Sequence, residues 1–425
     1  MQHTLFFSLC LSLLLVTCSG NHTGGNEPEK KTGNSDRQIK QLVFNSTDEQ
    51  LGYRTNEFSI NMLNIISHNE EEKSNICFSP LSCSMALGIL MNGADGNTLS
   101  QMQDALGFEG VKQDDINAYY HKLLDVLPAL DSTTVVNIAN ALWLRDAFPF
   151  NPDYKQKTKE VFLATIDNVE SFLDQTTLDM INKWAADNTN ELIKQILTPD
   201  MVTDETVMVF ANALYFKGIW QQVFDKELTH KQPFTTLSGE EKEVDMMEMQ
   251  EAYINYMQTA DMKMIELDYK EGKYCMDLIL PNNGTDIRTL LSSLTLDQWN
   301  EYLSRLTKNE AIVCLPKFKF AYNRDLKKDL QAAGIVDVFN ENLADLSRLS
   351  DISCFLSFIK QYTFISVDEE STEAAAVTVG GVDCNSAMPS FSFVADHPFI
   401  FVIREKKYGT MLFTGIVGDP TDEQQ

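Results

Sequence analysis

Six histidines, at positions 3, 22, 68, 121, 230 and 397, are the side chains best suited to move protons near neutral pH. None sits in an H-E-x-x-H pattern. The chain also lacks a G-x-S-x-G elbow, a Walker loop and a G-x-G-x-x-G turn. Metal-assisted hydrolysis, serine-based acyl transfer and nucleotide chemistry therefore have no local signature. Of the eight cysteines, Cys10 and Cys18 belong to the N-terminal leader. The other six (Cys77, Cys83, Cys275, Cys314, Cys354 and Cys384) form no C-x-x-C pair and read as small buried thiols rather than a disulfide framework. No local motif supports a Cys–His nucleophilic pair. With 61 Asp and Glu, a carboxylate couple can be imagined anywhere, so their abundance is no signal. The expectation is a protein that is not an enzyme and has neither metal nor cofactor.

One segment is unusual for so acidic a chain. Residues 374–395 read AAAVTVGGVDCNSAMPSFSFVA, with Asp383 as the only charge. Taken alternately from Thr372, one face holds Thr372, Ala374, Ala376, Thr378, Gly380 and Val382. All are uncharged, and all are small or β-branched, so that face suits burial in a sheet. Glu373 opens the other face, where water can reach it. Periodicity alone gives an ordinary edge strand. Gly380-Gly381 and the Asp-Cys-Asn-Ser-Ala-Met-Pro that follows are loop chemistry, however. Together they describe a loop able to become a strand.

The elements that must position this segment come from the whole chain. Its 425 residues carry 34 Lys and Arg against 61 acids, a net charge of −27. Such a charge repels phosphate backbones and anionic lipid, so no nucleic-acid partner and no heparin-type polyanion site is expected. Leu5–Val16 is an apolar run of signal-sequence length, too short to span a bilayer. Leu15-Val16-Thr17-Cys18 resembles a bacterial lipobox, with Cys18 as the lipidated residue; ordinary cleavage after Cys18 or Gly20 is the alternative. Either ending predicts an exported protein, extracellular or lipid-anchored at the cell surface. Residues 1–18 are read as the signal, 19–50 as a flexible tether, and 51–420 as one mixed domain whose packing starts near Leu51.

Within that domain, Phe58, Met62, Ile65 and Ile66 mark an amphipathic first helix. A second, apolar all round, is capped by Ser79, starts at Pro80, runs to Met91 and ends at Gly93 in a left-handed conformation. Val135–Leu144 and Thr206–Phe216 share Ala-Asn-Ala-Leu and read as neighbouring strands rather than a duplicated unit. A helix is expected over Thr177–Leu197, broken near Asn188. Further strands are expected at Tyr274–Leu280, Ala311–Phe320 and Phe355–Val367.

Val367 to Thr378 (VDEESTEAAAVT) resembles the hinge of inhibitory serpins, the serine protease inhibitor family. Phe393 to Ile403, with Asp396, Pro398 and Phe399, resembles that family's C-terminal signature. Asn75 with Phe78-Ser79-Pro80-Leu81-Ser82 is similar to its second helix, and Asn212 with Tyr215 to Trp220 to its sheet-opening region. These matches lie in family order over residues ~55–418. They imply an α+β domain with about three β-sheets, eight to nine helices and an exposed reactive-centre loop within 366–397. They also imply a suicide inhibitor. A protease cleaves the loop, and the loop inserts into the central sheet while still esterified to it. The hinge would be Glu369, Ser371, Thr372, Glu373, Ala374, Ala375, Ala376 and Thr378. The sheet-opening set would be Ser79, Pro80, Ser82, Asn212, Trp220 and Gln361.

Two positions depart from the pattern. Ser371 replaces the usual Gly, and Gln361 stands where many animal members have His. Gln361 is expected to offer hydrogen bonds to Ser79, Ser82 and Asn212. Family spacing counted from Glu369 places the reactive bond at Asn385-Ser386, while counting back from Pro398 reaches Ala387. No Lys or Arg lies between Glu369 and Ile403, so a trypsin-like pocket has no cation to bind. The implied partner is a non-trypsin-like protease met by a monomeric inhibitor. Elastase-like serine enzymes come first, and cysteine proteases stand behind them. Met388 would admit a chymotrypsin-like enzyme, and Cys384 is a passive exposed thiol or a redox-sensitive one. The alternative is a non-inhibitory binding, carrier or chaperone serpin.

Overall fold

Leu42 and Phe44 turn two apolar side chains inward, and both are buried, while Ile39 and Val43 beside them stay exposed. Phe44 stacks on Tyr408 with ring centroids 4.2 Å apart. Asn45 then caps the helix Ser46–Asn69, accepting from the Thr47 and Asp48 N–H groups at 2.8 and 2.9 Å. Packing therefore begins at Leu42, not Leu51. Two apolar residues are too few to show a period, but both find aromatic or aliphatic partners. The computed structural model describes residues 38–70, 74–372 and 391–423, all within the compact unit Arg37–Gln425.

Among the described residues, nine α-helices accompany three sheets of nine, four and two strands, a mixed α+β fold. The helix Pro80–Met91 is buried along its whole length, and its Ser79 cap accepts from the Ser82 N–H. Its end differs from expectation. Asn92 leaves it in a right-handed conformation, and Gly93 is not among the residues with positive φ. Gly93 is instead a point of close approach, where a Cβ would meet the Leu349 Cβ at 2.9 Å.

The two strands sharing Ala-Asn-Ala-Leu, Val135–Arg145 and Met208–Ile219, are antiparallel neighbours, with Asn140 opposite Asn212. Thr165–Val169 extends this sheet on one side, and Ser371–Thr372 extends it on the other. The two-stranded sheet is Phe318–Asp325 with Lys360–Val367. The expected single strand Ala311–Phe320 is really two, Thr307–Pro316 and Phe318–Asp325, in different sheets. Pro316, which has no N–H to give a ladder, sits at the break. Residues 355–359 precede their strand instead of belonging to it.

The helix Gln175–Asn188 ends at the expected break, where Asn190 and Glu191 take φ of 53° and 64°, but it does not resume toward Leu197. Thr189 closes it by donating to the Ala185 carbonyl at 2.7 Å and accepting the Ile193 N–H at 3.1 Å. Leu192, Ile193 and Ile196 therefore lie in the irregular connection that leads to Met208–Ile219. In the nine-stranded sheet, Arg404 is buried between Asp277 and Glu266, and Lys406 reaches Glu266 at 2.8 Å.

Candidate functional site at the head of an open sheet

After Val367 the chain turns sharply, because the Asp368 carboxylate accepts the Glu370 and Ser371 N–H groups, each at 3.0 Å. The Asp368 N–H donates to the Ser371 carbonyl at 3.0 Å. The reversed chain sets Ser371 opposite Ile219 and Thr372 opposite Gly218. Thr372 faces inward, and its hydroxyl is 2.8 Å from the buried Tyr269 hydroxyl. Gly218 has to be glycine here, since a Cβ would lie 2.4 Å from the Tyr269 ring. Tyr269 in turn stacks on Trp220 at 4.7 Å.

The turn is pinned from outside as well. Trp220 donates its indole N–H to the Asp368 carbonyl and its backbone N–H to the Glu370 carbonyl, both at 3.0 Å. The Glu369 carboxylate, itself buried, meets Lys317 at 2.6 Å and the Thr229 hydroxyl at 2.8 Å. Burial pushes the Glu369 carboxyl up. Its bonds to Lys317, its own N–H and Thr229 outweigh that and hold it below the usual carboxylate range. Glu370 pairs with Lys226.

Below Thr372 the walls part. Met208–Ile219 and Lys360–Val367 belong to different sheets and share no ladder among the described residues. A cleft of about 340 Å³ is lined by 206–213 on one side and 353–362 on the other, with Ser82, Cys83 and Ala86 of the buried helix also lining it. A smaller gap, lined by Leu214–Phe216, Phe364–Ser366 and Thr372, lies directly under the hinge. Two strand edges thus face each other across a space headed by a strand already begun.

Beneath this sheet a polar chain ties its walls to the helix. Gln361 accepts the Ser79 N–H at 2.8 Å and donates to the Ser79 carbonyl at 2.9 Å. Ser82 donates to the Asn212 side-chain oxygen. Asn212 donates to Asn140 at 2.6 Å, and Asn140 to the Phe162 carbonyl at 2.8 Å. Of the expected Gln361 partners, Ser79 is met and Ser82 and Asn212 are not. Its amide is spent on the Ser79 backbone, because that N–H and C=O flank the helix cap, which leaves Ser82 and Asn212 to pair with each other. Pro80 stands at the first helical position, as its missing N–H allows. Sequence reasoning missed Asn140; its signal was the repeated Ala-Asn-Ala-Leu.

The C-terminal signature residues anchor the fold. His397 lies 2.6 Å from Asp396 and 2.7 Å from the Pro281 carbonyl, and Phe399, next to Pro398, is wholly buried. Asn75 bonds the backbone of Gly418, Asp419 and Asp422. The described histidines each contact a main-chain oxygen: His68 that of Asn64, His121 that of Val161, His230 that of Leu228. Glu266, Cys275 and Asp277 converge within 4.8 Å, but Arg404 already supplies the cation there. Cys77, Cys83, Cys275, Cys314 and Cys354 are free thiols. Glu373, Ala374, Ala375, Ala376, Thr378, Asn385, Ser386, Cys384 and Cys18 lie outside the described residues.

A mixed fold whose hinge begins a strand at the head of an opened sheet defines a serpin. The family model described as "Serpin (serine protease inhibitor)" matches residues 53–420, and the chain belongs to that family. Members of the family are in general protease inhibitors rather than catalysts, and the family implies target proteases as partners. A leukocyte elastase inhibitor from Xenopus laevis is 33% identical over 381 residues, covering 88% of this chain and 100% of the relative. An uncharacterized serpin-like protein of Methanosarcina acetivorans is 29% identical, over 98% of this chain and 97% of its own. Among solved structures, the native state of the thermophilic serpin tengpin superposes with a TM-score of 0.80 at 29% identity, covering 91% and 99% of the two chains.

Proposed function

We propose that this protein is a suicide-substrate inhibitor of serine endopeptidases with non-basic, elastase-like specificity, able also to meet cysteine proteases. The observation carrying the reading is the cleft headed by Ser371 and Thr372. Among the described residues its two walls share no ladder, and the chain that follows Thr372 is uncharged on one face. Continuing both hinge registers without a slip would set Ala374 between Phe216 and Ile365, and Thr378 between Asn212 and Gln361. Asn385 would then lie between Glu205 and Cys354, which line the far end of the cleft. The length of the space and the count from Glu369 thus favour the same reactive bond, Asn385-Ser386.

Cleavage there would leave Asn385 esterified to the protease. Insertion of residues 373–385 would then carry that ester about 43 Å at ~3.3 Å per strand residue. Displacement on that scale, before water attacks the ester, is what traps the enzyme. The absence of Lys and Arg from 369–403 and the elastase-inhibitor name of the Xenopus relative support a small-residue target. A carrier or chaperone serpin would be expected to have charge or Pro at the hinge, and Thr372 is neither. The leader Leu5–Val16 and Cys18 support export, as a monomer either free or lipid-anchored.

Incubation with elastase-, chymotrypsin- and trypsin-type enzymes tests this. An SDS-stable complex with the first, cut at Asn385-Ser386 by mass spectrometry, is expected. Thr372→Arg should turn the protein into a plain substrate, since a buried unpaired charge costs several kcal/mol. Degradation by every enzyme, or an unchanged yield of complex from Thr372→Arg, would overturn the reading.

A further inference from the structure

The dipeptide Asn-Gly sets a side-chain amide beside the least hindered backbone nitrogen, and it occurs twice in the chain, at Asn92-Gly93 and Asn283-Gly284. The fold treats the two oppositely. Asn92 is buried at the end of the helix Pro80–Met91. Its amide donates to the Gly88 carbonyl at 2.8 Å and to the Asn117 side chain at 2.9 Å, and its oxygen accepts from Asn117 at 2.9 Å. The Gly93 N–H donates to the Leu90 carbonyl at 2.9 Å. Asn283 and Gly284, by contrast, stand exposed between the strand Tyr274–Pro281 and the helix Ile287–Ser293. The Thr285 N–H donates to the Asn282 carbonyl at 2.9 Å, and Gly284 alone of these four residues has a positive φ, 92°. That is a type II turn with Asn283 and Gly284 at its central positions. Asn282 spends its amide on the Thr259 and Ala260 carbonyls. Among the described residues neither the Asn283 amide nor the Gly284 N–H has a partner, and nothing lies within 4 Å of where a Cβ would stand on Gly284. We infer that Asn283 is a self-modifying site, at which the folded protein converts an asparagine into isoaspartate.

The Gly284 nitrogen attacks the Asn283 side-chain carbonyl carbon. The new C–N bond closes a succinimide ring, the bond to the amide nitrogen breaks, and that nitrogen leaves as ammonia with the proton of the Gly284 N–H. Water then opens the ring at either carbonyl, giving aspartate or isoaspartate. Nothing is oxidised or reduced, and water is the only co-reactant. Glycine adopts either sign of φ, so the peptide plane between 283 and 284 swings its nitrogen onto the side chain with no Cβ in the way. At Asn92 the same approach requires the four hydrogen bonds around Asn92 and Gly93 to open inside the core. At a severalfold cost in rate for each, Asn92 falls behind by about a hundredfold or more. Each conversion at Asn283 places a new acid near Asp286, which caps the following helix by accepting the Thr289 N–H at 2.8 Å. The isoaspartate form also lengthens the backbone inside the turn, and its free carboxylate is the group that isoaspartate-directed carboxyl methyltransferases esterify with the methyl of S-adenosylmethionine.

Mass spectrometry of peptides from the full chain, held folded at mildly alkaline pH, tests this. The peptide containing Asn283 is expected to gain the mass of an amide-to-acid exchange. Its isoaspartate fraction should accept a labelled methyl group from S-adenosylmethionine and a carboxyl methyltransferase of that class. The Asn92 peptide should stay unchanged over the same time. In denaturant, with every one of these hydrogen bonds lost, the two sites should react at similar rates, so that the fold and not the dipeptide separates them. Asn283→Gln lengthens the side chain past the favoured ring size and should lose the signal while keeping the parent's Tm. An Asn283 peptide that stays unchanged in the folded chain, or that carries a glycan on the Asn283-Gly284-Thr285 sequon instead, overturns the inference. So does equal conversion of Asn92 and Asn283 in the folded chain. None of these readings depends on protease trapping, so they decide the matter whether or not the inhibitor reading holds.

Discussion

At the scale of single residues, the hinge turn depends on Glu369. Its carboxyl is buried yet held below the ordinary carboxylate range, so the folded state binds its proton less readily than the unfolded chain. A group of this kind contributes stability above its unfolded pKa, and that contribution is lost as pH falls through the depressed folded value. Acidification below about pH 4 should therefore weaken the turn. Lys317→Met removes the pairing cation and should flatten that part of the response. Thermal melts of both proteins between neutral pH and pH 3 check this. A parallel fall in the two Tm curves would show that the Lys317–Glu369 pair does not stabilise the turn. Gln361, by contrast, clamps Ser79 with an amide that does not titrate, so that clamp does not respond to pH.

At the scale of elements, the join between the two Asn-bearing strands and the helix beneath them runs through Asn140. Asn140→Ala leaves the carbonyl of the buried Phe162 and one N–H of the half-buried Asn212 without these partners. A loss of about 1–3 kcal/mol is expected, read as a lower midpoint in denaturant. A neutral variant would mean that water replaces the amide there. The first two helices and the paired strands were legible in the sequence because each shows its own period or cap: Phe58 to Ile66 in one, Ser79-Pro80 in the other. Where local pattern and tertiary demand parted, reading failed. Leu192 to Ile196 look helical, but Asn190 and Glu191 break the turn before them. Ala311 to Phe320 look like one strand, but Pro316 divides them between sheets. Gly93 looks like a cap and serves as clearance for Leu349. The hinge could be identified from its composition, whereas the cleft could not. Its walls are some 150 residues apart in the chain, and no period in either one announces that they do not pair.

At the scale of the molecule, the fold divides into a settled part and an unfinished one. The nine-stranded sheet is closed by buried ion pairs and continuous ladders, while the four- and two-stranded sheets leave space between them. Two thiols line that space, Cys83 from the helix and Cys354 from the far end of one wall, and neither is bridged. Burial pushes the Cys354 thiol up to about 11, so alkylation near neutral pH should be slow yet measurable in the intact protein. Once the space is filled, iodoacetamide should no longer reach Cys354. Equal labelling before and after the loop is cut would mean that the added strand never arrives there. A body obliged to part along one seam is better without a covalent stitch across it, and the half-buried sulfur of Cys354 left in that seam is a natural stopwatch: each molecule that finishes its conversion hides it, so the progress of a single-use machine can be timed without attaching a dye.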